Sequence, residues 1–179
     1  VTILSSWQTS DPADRRQTVD ADSADGKTIL TILGIRAICA DDSAGGNPPI
    51  TAEIRSLKNS NAAIAAGKGG PIEVVCVERF GAGVLTQCAL TPGLASVYDD
   101  LLTFEPDTDE IYKIPVPHDC VGKSFSEALR IFSRKRHHKS TATLPIGICR
   151  GGKVRLNPPD DDAEFGTLHG GDFLFVIAD

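Results

Sequence analysis

The side chains best equipped for chemistry are carboxylates. Asp20, Asp22 and Asp25 crowd a polar stretch near the start, and Glu53 sits on the next apolar run. Ca²⁺ takes several carboxylate and carbonyl oxygens on a partly pliable frame, so these four are the candidate metal ligands. Asp99-Asp100 and Asp160-Asp161-Asp162 are further acidic clusters, which solvation alone explains as well as a cation does. The basic run 134–139 reads as a solvated helix end, with a phosphate or acidic partner as the alternative. His118 and Cys120 with His137 and His138 lack the spacing of a common zinc module. No GxSxG elbow, HExxH pair or P-loop occurs, so no catalytic residue is assigned and the chain is not read as an enzyme.

Those carboxylates need a frame, and the composition allows one. The chain has 179 residues, 41% of them hydrophobic, which is enough for a real core. Its formal charge of −6 argues against a general nucleic-acid binder. No apolar run approaches the roughly 18 residues of a membrane helix. The chain opens on Val1 with no signal peptide and no initiator Met, which leads us to expect a fragment or a processed form. Five cysteines without CxxC spacing read as reduced, buried thiols.

The first half alternates strand and helix. Residues 1–6, 50–55 and 72–77 are apolar and β-branched runs, expected as strands. Ile29, Ile32, Leu33, Arg36 and Ala37 fall at helical spacing, with Ser23 or Asp25 as the expected cap. Asp20, Asp22 and Asp25 then belong to the loop before this helix. Residues 59–66 form a short Ala-rich helix ending at Gly67. This order predicts parallel strands joined by crossovers, half of a doubly wound sheet. Ligands gather at the carboxyl ends of such strands, the rim where the acidic loop and the end of 50–55 both lie. Gly67-Lys68-Gly69-Gly70 and Gly151-Gly152 lack the strand-turn-helix context of a dinucleotide cradle, so no dinucleotide motif is assigned.

The centre of the chain reads as helix, break, helix. Val84, Leu85, Cys88 and Ala89 recur at helical spacing up to Leu90. Pro92-Gly93 interrupts, and Leu94, Val97, Tyr98, Leu101 and Leu102 give the second helix an apolar face. Val84, Leu85, Cys88, Leu94, Val97, Tyr98 and Leu101 are the candidate subunit contacts, with intrachain core as the equal alternative. After residue 106 the pattern changes. An alternating strand at 110–116 precedes a helix at 124–136 with capping-box spacing from Ser124 to Glu127. Strands follow at 144–149, 152–156 and 172–177, the first two joined by a Gly-Gly hairpin. The last is apolar almost throughout, so it should be central.

Two sets of residues carry a family resemblance. Gln87-Cys-Ala-Leu-x-Pro-Gly-Leu-Ala95 followed by Asp99-Asp-Leu-Leu-x-Phe-Glu105 resembles the crossover segment of the CASTOR/POLLUX channels, within the wider group bearing RCK (regulator of K⁺ conductance) domains. Ile114-Pro-Val-Pro117, Gly122-Lys-Ser-Phe125, Pro145-Ile-Gly-Ile148, Asn157-Pro-Pro-Asp160 and Gly170-Gly-Asp172 resemble the RCK C-terminal, or TrkA-C, lobe. Ile32-Leu-Gly-Ile-Arg36 and Thr51-Ala-Glu53 resemble the second half of the RCK N-terminal lobe. The resemblance implies an α/β fold in three parts: a partial Rossmann-like N-lobe at 1–80, a helical crossover at 81–104 and a small α+β C-lobe at 105–179. It leaves the first half of the N-lobe, with its glycine-rich turn, outside this chain.

The resemblance further implies a ligand-sensing gating module on the cytoplasmic side of a membrane. Such modules form dimers that assemble into a ring beneath the pore of a cation channel, here expected to be potassium-selective. Calcium-gated relatives use an acidic residue before the helix and two glutamates, two apart, on the strand. Glu53 matches the first glutamate and Arg55 stands in place of the second, which weakens the Ca²⁺ assignment and leaves an anionic ligand open. The alternatives are a nucleotide-responsive subunit of a Trk/Ktr-type potassium uptake system and a fragment of a Rossmann-type dehydrogenase.

Overall fold

Short β-branched runs separated by helical spacing produce the expected alternation. A computed structural model describes residues 1–4, 21–40, 46–105, 108–136 and 143–178. Contacts between residues divide the chain into two units, Val1–Pro92 and Gly93–Asp179.

In the first unit, β1 (Thr2–Ile3), β2 (Ile50–Ile54) and β3 (Ile72–Cys76) form a parallel sheet in the order β1-β2-β3. Helix α1 (Ala21–Ala40) connects the first pair of strands. A 3₁₀ turn (Leu57–Asn59) and α2 (Ser60–Ala66) connect the second pair. Strand β2 alternates strictly: Ile50, Ala52 and Ile54 are buried, whereas Thr51 and Glu53 face away. Ile32 of α1 and Ala63 of α2 close over the buried face and build the core of this unit. Helix α2 stops at Gly67, where a Cβ would collide with the Ile72 side chain at 2.3 Å.

Two expectations about α1 need correction. The helix starts at Ala21, so Asp22 and Asp25 lie inside it and neither Ser23 nor Asp25 is its cap. An acidic residue in the first turn is favoured by the unpaired N–H groups there, so Asp22 can extend the helix instead of ending it. Its buried stripe also runs through Asp25, Thr28, Ile32 and Arg36, leaving Leu33 exposed. Arg36 is buried because its guanidinium has carbonyls to bind. Nε donates to Gly67 O at 3.1 Å, Nη1 to Pro48 O at 2.7 Å and Nη2 to Pro71 O at 2.8 Å. One side chain thereby fastens the segments flanking β2 and β3.

In the second unit, β4 (Glu110–Pro115), β5 (Leu144–Arg150), β6 (Lys153–Leu156) and β7 (Phe173–Ala178) form an antiparallel sheet. The order β4-β7-β5-β6 puts β7 inside the sheet, as its apolar sequence requires. Positive φ at Gly151 (55°) and Gly152 (83°) makes the two-residue hairpin between β5 and β6, where a side chain would be strained. Helix α5 (Phe125–Arg136) begins with the expected capping box. Glu127 N donates to Ser124 Oγ at 3.3 Å, and Ser124 N donates to Glu127 Oε2 at 2.9 Å. Phe125, Ala128 and Phe132 of α5 pack with Ile148, Leu174 and Val176 of the sheet.

In chain order, α3 (Val77–Leu90) ends the first unit and α4 (Leu94–Leu102) begins the second. Thr91 N donates to Gln87 O at 2.9 Å, closing α3. Gly93 takes the left-handed φ of 89° from which α4 starts. Helix α3 begins directly after β3, seven residues before Val84, the first apolar position of its helical spacing. All five cysteines are free thiols; Cys120 and Cys149 are buried, whereas Cys39, Cys76 and Cys88 are only half-buried.

Candidate functional site

The carboxyl end of β2 gathers polar groups from three elements. Asp25 of α1 is fully buried there and accepts three hydrogen bonds. Arg55 N and Ser56 N donate to its two oxygens at 2.7 and 3.0 Å, and Asn59 Nδ2 donates at 2.8 Å. These are the N–H groups that the sheet ladder leaves unpaired as β2 ends, so a buried carboxylate is satisfied by the strand it terminates. One helical turn earlier, Asp22 accepts from Lys58 Nζ at 2.6 Å and from the same Asn59 amide at 3.1 Å. The Lys58 hydrogen bond, and then that of Asn59, hold the Asp22 carboxyl below its ordinary value.

The structure thus joins Asp22 and Asp25 through Asn59. Glu53 lies on the same strand but projects from the sheet face opposite the α1 core. Asp20 lies outside the described residues. Among the described residues no three His, Cys, Asp or Glu side chains converge as a metal would require. Asp99 and Asp100 are exposed on α4. His137 and His138 lie outside the described residues, as does the end of the basic run.

The other acidic cluster does structural work. Asp160 accepts from Ser126 N at 3.2 Å and Ser126 Oγ at 2.5 Å, capping the first turn of α5. Those bonds hold its carboxyl below the usual range. Asp162 accepts from Glu164 N and Phe165 N at 2.9 and 2.8 Å. The loop is locked by a pair that sequence reasoning missed. Arg150 Nε donates to Asp172 Oδ1 at 2.9 Å and Nη2 to Oδ2 at 2.5 Å, a bidentate fork. The same guanidinium donates to the Glu164 and Thr167 carbonyls and lies 5.5 Å from the Phe165 ring centroid. The Arg150 hydrogen bond draws the buried Asp172 carboxyl down and the guanidinium up. A lone arginine after an apolar strand and an aspartate before another were the available signals, and only pairing across β5 and β7 joins them.

Helices α3 and α4 present the opposite chemistry. None of the fourteen residues of α3 or the nine of α4 is buried. On α3, Leu85 is 72% exposed and Leu90 75%, with Val77 and Phe80 also exposed. Val84 and Cys88 are half-buried. On α4, Val97 and Leu102 are exposed, and Leu94, Tyr98 and Leu101 are half-buried. Phe104, just beyond, is the most exposed large apolar residue described. So much uncovered apolar surface on consecutive helices is unusual for a surface that meets only water.

Residues 80–179 match the sequence profile described as Castor and Pollux, part of voltage-gated ion channel. The chain belongs to the Castor and Pollux family. It is 29% identical over 162 residues to the probable ion channel POLLUX of Arabidopsis thaliana, covering 89% of this chain and 17% of that protein. It is 29% identical over 163 residues to the ion channel CASTOR of Lotus japonicus, again over 89% of this chain and 17% of the relative. This Castor/Pollux chain therefore spans about a sixth of the length of the channels it resembles. In fold it is similar to the human SLO3 gating ring, with a TM-score of 0.67 and 20% identity, over 94% of this chain and 31% of that one. The partial parallel sheet followed by a small antiparallel sheet is thus an RCK-type fold, as the sequence resemblance implied. Among the described residues no helix is long and apolar enough to cross a membrane.

Proposed function

We propose that the chain is the ligand-sensing gating module of a cation channel, placed on the cytoplasmic side of the membrane and coupled to a potassium-selective pore. The observation that carries this reading is the uncovered apolar surface of α3 and α4, which falls almost entirely within the segment shared with the channel family. Helices of that length without one buried residue gain their stability from a partner, and a second copy of the same chain is the partner that a ring of modules supplies. Val84, Leu85, Cys88, Leu94, Val97, Tyr98 and Leu101 contribute to that contact in this reading. Residues 1–80, 81–104 and 105–179 act as sensing lobe, assembly segment and C-terminal lobe.

Gating asks little more of the protein than two assembled arrangements with different affinities for one ligand. The carboxyl end of β2 is where the ligand would act. Asp22 is exposed there and Asp25 holds the strand end, so Ca²⁺ or another cation is the ligand class we favour, with Asp20 and Glu53 as the other carboxylates that the sequence offers. Sedimentation velocity on the 179-residue chain tests the assembly. Self-association is expected below about 100 μM, and a monomer throughout that range would overturn the reading.

A further inference from the structure

Phe104 is the most exposed large apolar side chain described, at 83%, and it lies on no helix or strand. It stands two residues beyond the end of α4, past Thr103, whose N–H closes the helix on Asp99 O at 3.0 Å. A phenylalanine on a free loop folds back onto its own chain, because covering the ring removes apolar surface from water. Here the backbone on both sides of it is tied. The Thr108 hydroxyl donates to Thr103 O at 2.6 Å, with Glu105 O also in reach at 3.0 Å. The same oxygen accepts from Glu105 N at 3.1 Å, and Thr108 N donates to Glu105 O at 3.3 Å. One threonine thus fixes the residue before Phe104 and the residue after it. We infer that Phe104 is a preformed anchor for a second copy of this chain, held outward by Thr108 as its positioning residue. The inference rests on the proposed assembly through α3 and α4, and it names the side chain that anchors that contact.

A second copy is the occupant because Phe104 prolongs the surface that the proposed assembly covers. It follows directly on Val97 and Leu102, both exposed on α4. The same chain offers Leu85 and Leu90, exposed on α3, as apolar ground for the aromatic ring. An aromatic side chain buries about 150–250 Å². A stable contact buries about 800 Å² on each side, so this one side chain supplies roughly a fifth of it. Side chains of that size, held in place beforehand, carry a disproportionate share of binding energy. The other exposed apolar residues nearby have no such mount. Phe80, Leu85 and Leu90 lie on α3, where helical periodicity alone places them.

Sedimentation velocity of the full 179-residue chain and its variants, from about 1 μM to about 1 mM, tests the inference. Phe104→Ala should raise the dissociation constant at least about thirtyfold. Phe104 touches little of its own chain, so urea unfolding of that variant at monomeric dilution should match wild type. Thr108→Val keeps Phe104 but frees its loop, and should raise the dissociation constant at least about fivefold. Thr108→Ser keeps the hydroxyl and should associate as wild type does. In a Phe104→Ala background, Thr108→Val should add nothing, because it acts through that side chain. A dissociation constant within about threefold of wild type for Phe104→Ala would overturn the inference while leaving assembly through α3 and α4 intact. Wild-type association by Thr108→Val, weakened association by Thr108→Ser, or a Thr108→Val loss that persists without Phe104 would also overturn it. A wild-type chain that stays monomeric throughout would overturn it together with the assembly reading.

Discussion

Replacing Leu85 and Leu90 by Glu should dissolve self-association without unfolding the chain. Both leucines lie on α3, 72% and 75% exposed, so neither contributes much to the fold of one copy. Fully burying a leucine is worth about 1.5–3 kcal/mol. With about three-quarters of each side chain free to be covered, each contributes roughly 1–2 kcal/mol to a contact. In a twofold-symmetric pair each residue occurs twice, giving about 4–8 kcal/mol. At about 1.4 kcal/mol per decade, the dissociation constant should rise by roughly three to six orders of magnitude. Glutamate keeps helix propensity high, so helicity is preserved. The assay is sedimentation velocity or light scattering across about 1–100 μM, with thermal unfolding of the variant held monomeric as the folding control. A dissociation constant within about threefold of wild type would refute the argument, because α3 would then be exposed for reasons unrelated to assembly.

Four further outcomes follow from the individual contacts. Arg150→Met strands the buried Asp172 carboxylate and should cost about 3 kcal/mol in chemical denaturation; a cost below about 1 kcal/mol would rule out the fork as a lock. Because Asp172 is held below its ordinary value in the folded state, its stabilisation is present above about pH 4 and is lost as pH falls further through the folded value. The stability gap between wild type and Asp172→Asn should therefore narrow on acidification below pH ~4, and a constant gap down to pH ~2 would contradict this. Asp25→Ala leaves the N–H groups of Arg55 and Ser56 unpaired and should cost about 1–3 kcal/mol, with faster amide exchange at the end of β2 as the local readout. Gly166→Ala brings a Cβ to 2.5 Å from Asp160 O and 2.6 Å from Asp162 O, both backbone atoms, so it should destabilise the second unit by about 1–3 kcal/mol; a neutral effect would show that the loop yields.

The fold was legible where one period dominated the sequence. The strict alternation of Ile50, Ala52 and Ile54, the unbroken apolar run of β7 and the Ser124–Glu127 capping box each specify one local structure, and each formed. The buried face of α1 was harder to read because apolar residues surround the helix: Leu30, Leu33 and Ile38 are exposed while Asp25 and Arg36 are buried. Hydrophobic spacing cannot identify a buried aspartate whose partners are backbone N–H groups some thirty residues later. The same limit hid the Arg150–Asp172 fork, which exists only once β5 and β7 pair. The carboxylates picked out by residue type were gathered only in part. Asp22 and Asp25 meet through Asn59, an amide with no signal of its own, whereas strand alternation turns Glu53 to the other face.

In the proposed reading a ligand at the carboxyl end of β2 and a partner on α3 would have to act on one structural element, and the first unit contains a short chain of contacts between those two places. Lys58 and Asn59 meet Asp22; Asn59 meets Asp25; Asp25 holds the backbone N–H of Arg55. The carbonyl of that same Arg55 accepts from Cys76 Sγ at 3.5 Å, and Cys76 is the residue immediately before α3. A change of charge at Asp22 thus acts on the frame from which the uncovered apolar helix departs. In a buried core such a disturbance would be absorbed by packing. Here α3 has no buried residue to anchor it, so the contacts at its first turn weigh more in setting its position. That combination, a polar relay ending at a helix with no buried residue, is the arrangement through which a ligand and an interface would bias one another if the proposed function holds.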